Sequence, residues 1–380
     1  MSHTLRAMPA LTHRSRLYLA ITISALLIGL ALLTALAGGC GGGKQDFKYR
    51  IAVVPKGLTH EFWQSIHRGS LRGATELKAR KGITVDIDWD GPLKENEAQA
   101  QINIIDRKIA ARVNGIVLAP QHSETMVPPV RKAVEAQIPV LVIDSGLSPE
   151  GQQLMVKYIA TDNYNGGRLA AEHLIKVLRA QGKEAPNLIL FRYQVGSEST
   201  DQREKGFEDY VNNVIAEQKK AGKPTITWLS TNKYAGATQE EALKEATPLL
   251  NNERVRGIDG IFAPNESSAS GMLAALRSLN LNKQVRLVGF DSSAPLVDAV
   301  RKGDVEALIL QDPYRMGCLG VWTLVHYLDG YQVTPEGNRV QSTGENVITR
   351  ANIDAPSTRQ LFEPELQDQR VMDLPSFPKK

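Results

Sequence analysis

The sequence predicts an α/β protein of two similar doubly wound parallel-sheet lobes. Three observations point there. Short apolar runs alternate with stretches of helical period from Tyr49 onward. There are ten such runs, too many for one compact doubly wound domain. They fall into two groups of five with a break near Thr161–Asn163. Strand–helix–strand alternation implies parallel sheets covered on both faces.

The elements follow in order. The leader, residues 1–39, carries Arg6, Arg14 and Arg16 and no acid, then a long apolar run ending in Leu36-Ala37-Gly38-Gly39 before Cys40. A basic start, an apolar middle and a small-residue end make a secretory signal. The cysteine after it resembles a bacterial lipobox, which implies cleavage before Cys40 and a lipid anchor on it. Two or three acyl chains hold a protein stably at a membrane. The run is also long enough to span a bilayer uncleaved; Gly41-Gly42-Gly43 favours the anchor, because a tether belongs there. Residues 40–48 then form the tether. Without the leader the formal charge falls from +4 to +1, so the body shows no bias towards nucleic acid.

The first five runs are "RIAVV", "ITVDIDW", "GIVLAP", "PVLVID" and "KYIATD"; the second five are "NLILFR", "TITWLS", "GIDGIFAP", "VRLVGFD" and "VEALILQD". Between the second and third, Ala98, Ile102, Ile105 and Ile109 share one helix face. Gly82 and Gly182 follow helix ends, where a left-handed cap is wanted. The expected first lobe is 49–161 with 312–332, the second 162–311 with 333–355. Residues 356–380 hold four prolines and no helical period and are expected to be a surface tail. With Cys40 acylated, Cys318 has no partner and is expected to be a packed thiol. No paired-cysteine metal signature occurs, and no cofactor is expected.

In open parallel sheets ligands bind beyond the carboxyl ends of the strands. Lys56, His60, Phe62 and Trp63 follow the first run, Asp144 the fourth, and Thr161 the fifth. In the second half Arg203, Asn265, Asp291 and Gln311 hold corresponding places. Carboxylates accept from paired hydroxyls, Arg and Asn donate to ring oxygens, and aromatic rings cover C–H faces. The set therefore suits a sugar or polyol. Taken singly, these residues have plainer readings: the aromatics as core, the aspartates as helix caps.

The chain resembles the periplasmic substrate-binding proteins of sugar ABC transporters, of the ribose-binding type, over roughly Tyr49 to Ile353. "IAVVPKGLTHEFWQSIHRG" is similar to the first strand and aromatic loop, "PVLVIDSGL" to the strand ending in a sugar-binding Asp, and "STDQREKGF" to the helix carrying a ligand-binding Arg. "YIATDNYNGGRLAAEHL" is similar to the first crossover, "GIFAPNESSASGMLAAL" supplies Asn265, "VGFDSS" Asp291, and "ILQDPYRMG" Gln311. The resemblance implies type I lobes joined by a three-stranded hinge that closes on the ligand, and a monomer that delivers it to a membrane permease. Ala119 and Ser145 stand where ribose binders carry Asn and Arg, and Lys56 and His60 replace smaller polar groups. These departures imply a ligand other than free ribose, with an acidic, phosphorylated or differently arranged polyol edge.

Three rival readings stand beside this one. A sugar-responsive repressor would begin with a basic helix-turn-helix, not an apolar signal. A glycosidase would need Asp144 and Asp291 as a facing carboxylate pair, but no nucleophile elbow or phosphate loop accompanies them. The same fold can also report to a membrane sensor kinase, and the sequence leaves that alternative open.

Overall fold

A computed structural model describes residues 46–334 and 339–379. The signal segment and Cys40 lie outside the described residues.

The strands are β1 (Tyr49–Val54), β2 (Val85–Trp89), β3 (Gly115–Leu118), β4 (Val140–Ile143), β5 (Met155–Ala160), β6 (Asn187–Arg192), β7 (Thr227–Tyr234), β8 (Gly260–Phe262), β9 (Arg286–Phe290), β10 (Ala307–Leu310), β11 (Val340–Ser342) and β12 (Asn346–Thr349). They form two six-stranded sheets, ordered β11-β5-β4-β3-β1-β2 and β12-β10-β9-β8-β6-β7. The two orders are the same, a repeat that residue identities do not display. Among the described strands, all pairings are parallel except β12 against β10. Ile51, Ala52, Val53 and Val54 are buried in succession, as a strand covered on both faces requires.

The helices between them are α1 (Glu61–Lys81), α2 (Ala98–Ala110), α3 (Val127–Glu135), α4 (Pro149–Gln152), α5 (Asn163–Ala180), α6 (Glu198–Lys220), α7 (Gln239–Leu250), α8 (Glu266–Ser278), α9 (Ala294–Lys302) and α10 (Pro313–Leu328). Helix α1 stops at Gly82, whose φ of 69° closes the cap. On α2, Ile104 and Ile105 are buried while Ala98, Ile102 and Ile109 pack half-buried against the same core. Cys318 is buried, and burial pushes its thiol up to about 12.

Each lobe has one close helix crossing built on paired glycines. In the first, a Cβ on Gly69 would lie 2.0 Å from the Tyr314 carbonyl oxygen, and one on Gly317 2.1 Å from that of Ile66. In the second, Gly167 meets the Arg203 carbonyl at 1.8 Å and Gly206 that of Tyr164 at 2.0 Å. No side chain fits such a gap.

The chain crosses between sheets three times: at Thr161–Asp162, at Gln311–Asp312, and between β11 and β12. The last crossing departs from expectation. The sequence places residues 333–355 in the second lobe, yet Val340 pairs with Tyr158 in the first sheet. A strand of Val, Gln and Ser that is half exposed leaves no apolar run to detect.

The tail also differs. It holds two short helices, α11 (Pro356–Arg359) and α12 (Pro364–Gln369). Leu361 and Phe362 pack on the second-lobe core, and Leu374 and Phe377 on the first. Arg72 Nη1 donates to the Asp368 carbonyl (2.7 Å) and Trp322 Nε1 to that of Pro375 (2.9 Å). One turn of helix has no period to read; tertiary contacts, not propensity, order this segment. Among the described residues, no helix is long and apolar enough to cross a membrane, and no group of His, Cys, Asp or Glu is placed to hold a metal.

Candidate functional site

Asp144 and Asp291 are the first residues after β4 and β9, equivalent strands of the two sheets. Both have left-handed backbones, φ 63° and 67°. Each N–H donates to the next strand, Asp144 to Ile159 O (3.1 Å) and Asp291 to Ile309 O (2.9 Å). A left-handed non-glycine residue costs roughly 1–2 kcal/mol, less for Asp. Here that conformation turns both carboxylates into one interlobe cleft.

The first-lobe wall is built on the turn after β1. Lys56 is buried, with Nζ 3.0 Å from Asp144 Oδ2; it donates across the cleft to Ser197 Oγ (3.2 Å) and Ser199 Oγ (3.0 Å). His60 Nδ1 lies 2.6 Å from Glu95 Oε1. The same carboxylate accepts from Trp63 Nε1 (2.7 Å) and, from the second lobe, Tyr193 OH (2.7 Å). Burial alone would push the Glu95 carboxyl up, but the His60 charge and hydrogen bond, then Lys56, hold it down to about 2. Burial opposes charge on His60 too, yet Glu95 raises it to about 9. Phe62 and Trp63 both line the cleft while packing in the core, their rings 4.8 Å apart at 88°.

Across from them stands Arg203, 2% exposed. Its Nε donates to Asn163 Oδ1 (2.8 Å) and its Nη1 to Pro264 O (2.9 Å), with Asp291 Oδ2 3.6 Å away. The guanidinium lies 3.8 Å over the Phe290 ring. Arg203 Nη2 is buried without a hydrogen-bond partner among the described residues. Gln311 Nε2 donates to Asp291 Oδ1 (2.5 Å). Burial raises the Asp291 carboxyl against the pull of Arg203 and Gln311. Asn265 lines the cleft and also caps α8, its Oδ1 accepting from Ser268 N.

The cleft thus gathers Lys56, His60, Phe62, Trp63, Asp144, Arg203, Asn265, Asp291 and Gln311. Thr161 does not line it: its hydroxyl donates to Gln311 Oε1 (2.8 Å) from behind, at the crossing. Sequence reasoning missed Glu95, Tyr193 and Ser199. Glu95 follows β2, so the strand-end rule points at it, but it stands among other polar residues in "DGPLKENEAQ" with nothing to single it out.

Cross-lobe bonds draw the walls together, including Ser199 N to Ser145 Oγ (3.0 Å) and Ser123 N to Gly196 O (3.0 Å). The enclosed space is about 20 Å³, room for one water-sized group. A ring-sized guest enters only with the lobes parted.

Two acids exchange helix termini across the cleft. Glu266, opening α8, accepts from Glu61 N (3.4 Å) and Phe62 N (3.3 Å) at the start of α1. Glu61 in turn accepts from Ala294 N (3.2 Å) at the start of α9. Burial pushes Glu266 up to about 7, against the pull of His60. Parting the lobes returns it to water, so closure takes up a proton. The closed form is therefore favoured at low pH and loses that advantage as pH rises through 7. Small-angle scattering of ligand-free protein is expected to give a larger radius of gyration at pH 8 than at pH 6, with no such change in Glu266→Gln. Equal radii in the wild type would remove the linkage.

Comparison with known proteins places this architecture. The model of the periplasmic binding protein domain matches residues 51–332. The D-ribose/D-allose-binding protein of Pseudomonas aeruginosa is 27% identical over 305 residues, 80% of this chain and 89% of that one. The ribose import binding protein of Haemophilus influenzae is 28% identical over 314 residues, 82% and 93% of the two chains. Among solved structures, a carbohydrate transporter solute-binding protein from Agrobacterium radiobacter in complex with D-arabinose has a TM-score of 0.71 at 28% identity, covering 83% of this chain and 99% of that one. An ABC transporter solute-binding protein from Agrobacterium vitis with bound D-fucose has a TM-score of 0.70 at 31% identity, covering 82% and 99%. Since the family match runs from β1 to beyond α10 and so takes in both sheets and the first two crossings, the chain belongs to the periplasmic binding protein family, in its type I, ribose-binding-protein-like branch.

Proposed function

We propose that the cleft closes on one neutral sugar or polyol, held by Asp144 and Asp291 from opposite lobes, by Arg203, Asn265 and Gln311, and by the rings of Phe62 and Trp63. The protein captures this ligand outside the cytoplasm and delivers it to an ABC transporter permease. The observation that carries the reading is the pair of left-handed aspartates, one per lobe, turned into a single aromatic-walled cleft. Charge-assisted hydrogen bonds of this kind contribute roughly 1.5–3 kcal/mol each. Arg203 Nη2 is a buried donor in want of an oxygen.

The charge balance bears on the ligand. Lys56 and His60 pointed to an acidic or phosphorylated edge, but each already has a carboxylate partner, Asp144 and Glu95. An anionic guest would have to displace one of them. Neutral hydroxyls fit between the pairs without breaking either. The acylated Cys40 holds the protein at the membrane, and it works as a monomer.

Isothermal titration against neutral pentoses, hexoses and inositols, with sugar acids and sugar phosphates alongside, tests this. A neutral compound is expected to bind, and Asp291→Asn to weaken it about tenfold or more, roughly 1.4 kcal/mol per factor of ten. Binding confined to acids or phosphates would overturn the assignment. Mass spectrometry of protein from the membrane fraction is expected to find a chain that begins at Cys40 and carries acyl groups on it; an unmodified Cys40 would overturn the anchor.

A further inference from the structure

Beside the cleft lies a second cavity of about 520 Å³, in the size range of small-molecule sites. Helix α1 supplies one wall through Gln64, Ser65 and Arg68, and α9 the opposite one through Val297. The tail lines it with Leu361 and Phe362. Gln367 ties the tail to α1, its Oε1 accepting from Arg68 Nη2 (2.8 Å) and Ser65 Oγ (3.3 Å).

Three side chains divide the chamber from the cleft. Phe62, Asp291 and Gln311 line both. Phe62 belongs to the first lobe, Asp291 to the second, and Gln311 to a crossing between them. A partition made from opposite lobes parts when the lobes part, and the two spaces then join. The chamber also has the surface of a ring site. Phe62, Val297 and Phe362 offer flat or apolar faces, while Arg68 Nε is a buried donor without a partner among the described residues.

We propose that this chamber is a second subsite continuous with the cleft, taking a ring-sized substituent joined by a glycosidic bond to the sugar between Asp144 and Asp291. The ligand is then a glycoside or disaccharide, not a free monosaccharide. This rests on the reading of the cleft as a sugar site. An occupant of either compartment touches the same three dividing side chains, which favours one elongated ligand over two independent ones.

Calorimetry on the tethered body compares D-ribose, D-allose, D-glucose and D-galactose, their methyl glycosides, their 4-nitrophenyl glycosides, and disaccharides that present each sugar at the non-reducing end. For the sugar that binds, the ring-bearing compound is expected to bind about tenfold tighter than the methyl glycoside; the aryl and disaccharide arms tell which ring the chamber takes. Gln64 is exposed on the chamber rim. Gln64→Trp, which fills the chamber from its rim, is expected to bring the ratio near one. If the free sugar or methyl glycoside binds as tightly as every ring-bearing compound, or if Gln64→Trp keeps the preference, the chamber is no subsite and the sugar cleft still stands. If nothing in any series binds, both readings fall.

Discussion

Replacing Arg203 with alanine is expected to cost the ligand-free protein about 3–5 kcal/mol of stability, the usual penalty for stranding one member of a buried ion pair, and to abolish sugar binding. The stability cost comes from what Arg203 touches. It faces Asp291, binds Asn163 and the Pro264 carbonyl, and stacks on Phe290. Burial already raises the Asp291 carboxyl while Arg203 opposes it; without the guanidinium a buried carboxylate is left uncompensated. Arg203→Lys keeps the charge but loses the planar fork, and is expected to recover part of the stability and little of the affinity. Urea denaturation without sugar, followed by circular dichroism, measures the first effect and calorimetry the second. An unchanged midpoint in Arg203→Ala would refute the structural part.

The second large effect concerns Glu95. Its depressed carboxyl contributes stability above the ordinary value of 4.5 and loses it as pH falls through about 2. The raised His60 contributes below its ordinary 6.5 and loses it as pH climbs through about 9. The pair is fully effective only between those ordinary values. In Glu95→Gln, burial acts on His60 unopposed by its nearest charge, so an NMR titration should find the imidazole far below 9. The stability difference from wild type is expected to be largest near pH 5–6 and to shrink towards pH 10. A His60 that still titrates near 9 in Glu95→Gln would show that Glu95 is not its partner. The variant also loosens Trp63 and Tyr193, which share the carboxylate, so sugar affinity should fall with it.

The fold was legible wherever burial demanded continuous apolar runs. β1, β3, β4, β9 and β10 are such runs, and their order in the chain was enough for two parallel sheets. β11, β12 and the two tail helices were not legible, because three or four residues cannot show a period and their order comes from distant partners such as Tyr158 and Trp322. At the site, residues directly after a buried strand were found by position. Glu95 was not, since the loop after β2 offers several polar residues and only the fold brings one of them to His60, Trp63 and Tyr193. Thr161 was placed one step too far forward: the crossing carries its backbone past the cleft, and its hydroxyl reaches Gln311 instead.

Asp144 and Asp291 occupy equivalent turns of the two lobes, with the same backbone twist and the same tie to a neighbouring strand. Matching acceptors on opposite sides of a guest do not by themselves tell its head from its tail. A polyol with hydroxyls of near-twofold arrangement would meet them equally well after being flipped end over end. Handedness and epimer choice must therefore fall to groups that have no twin across the gap, with Lys56 and Glu95 on one side and Arg203 on the other.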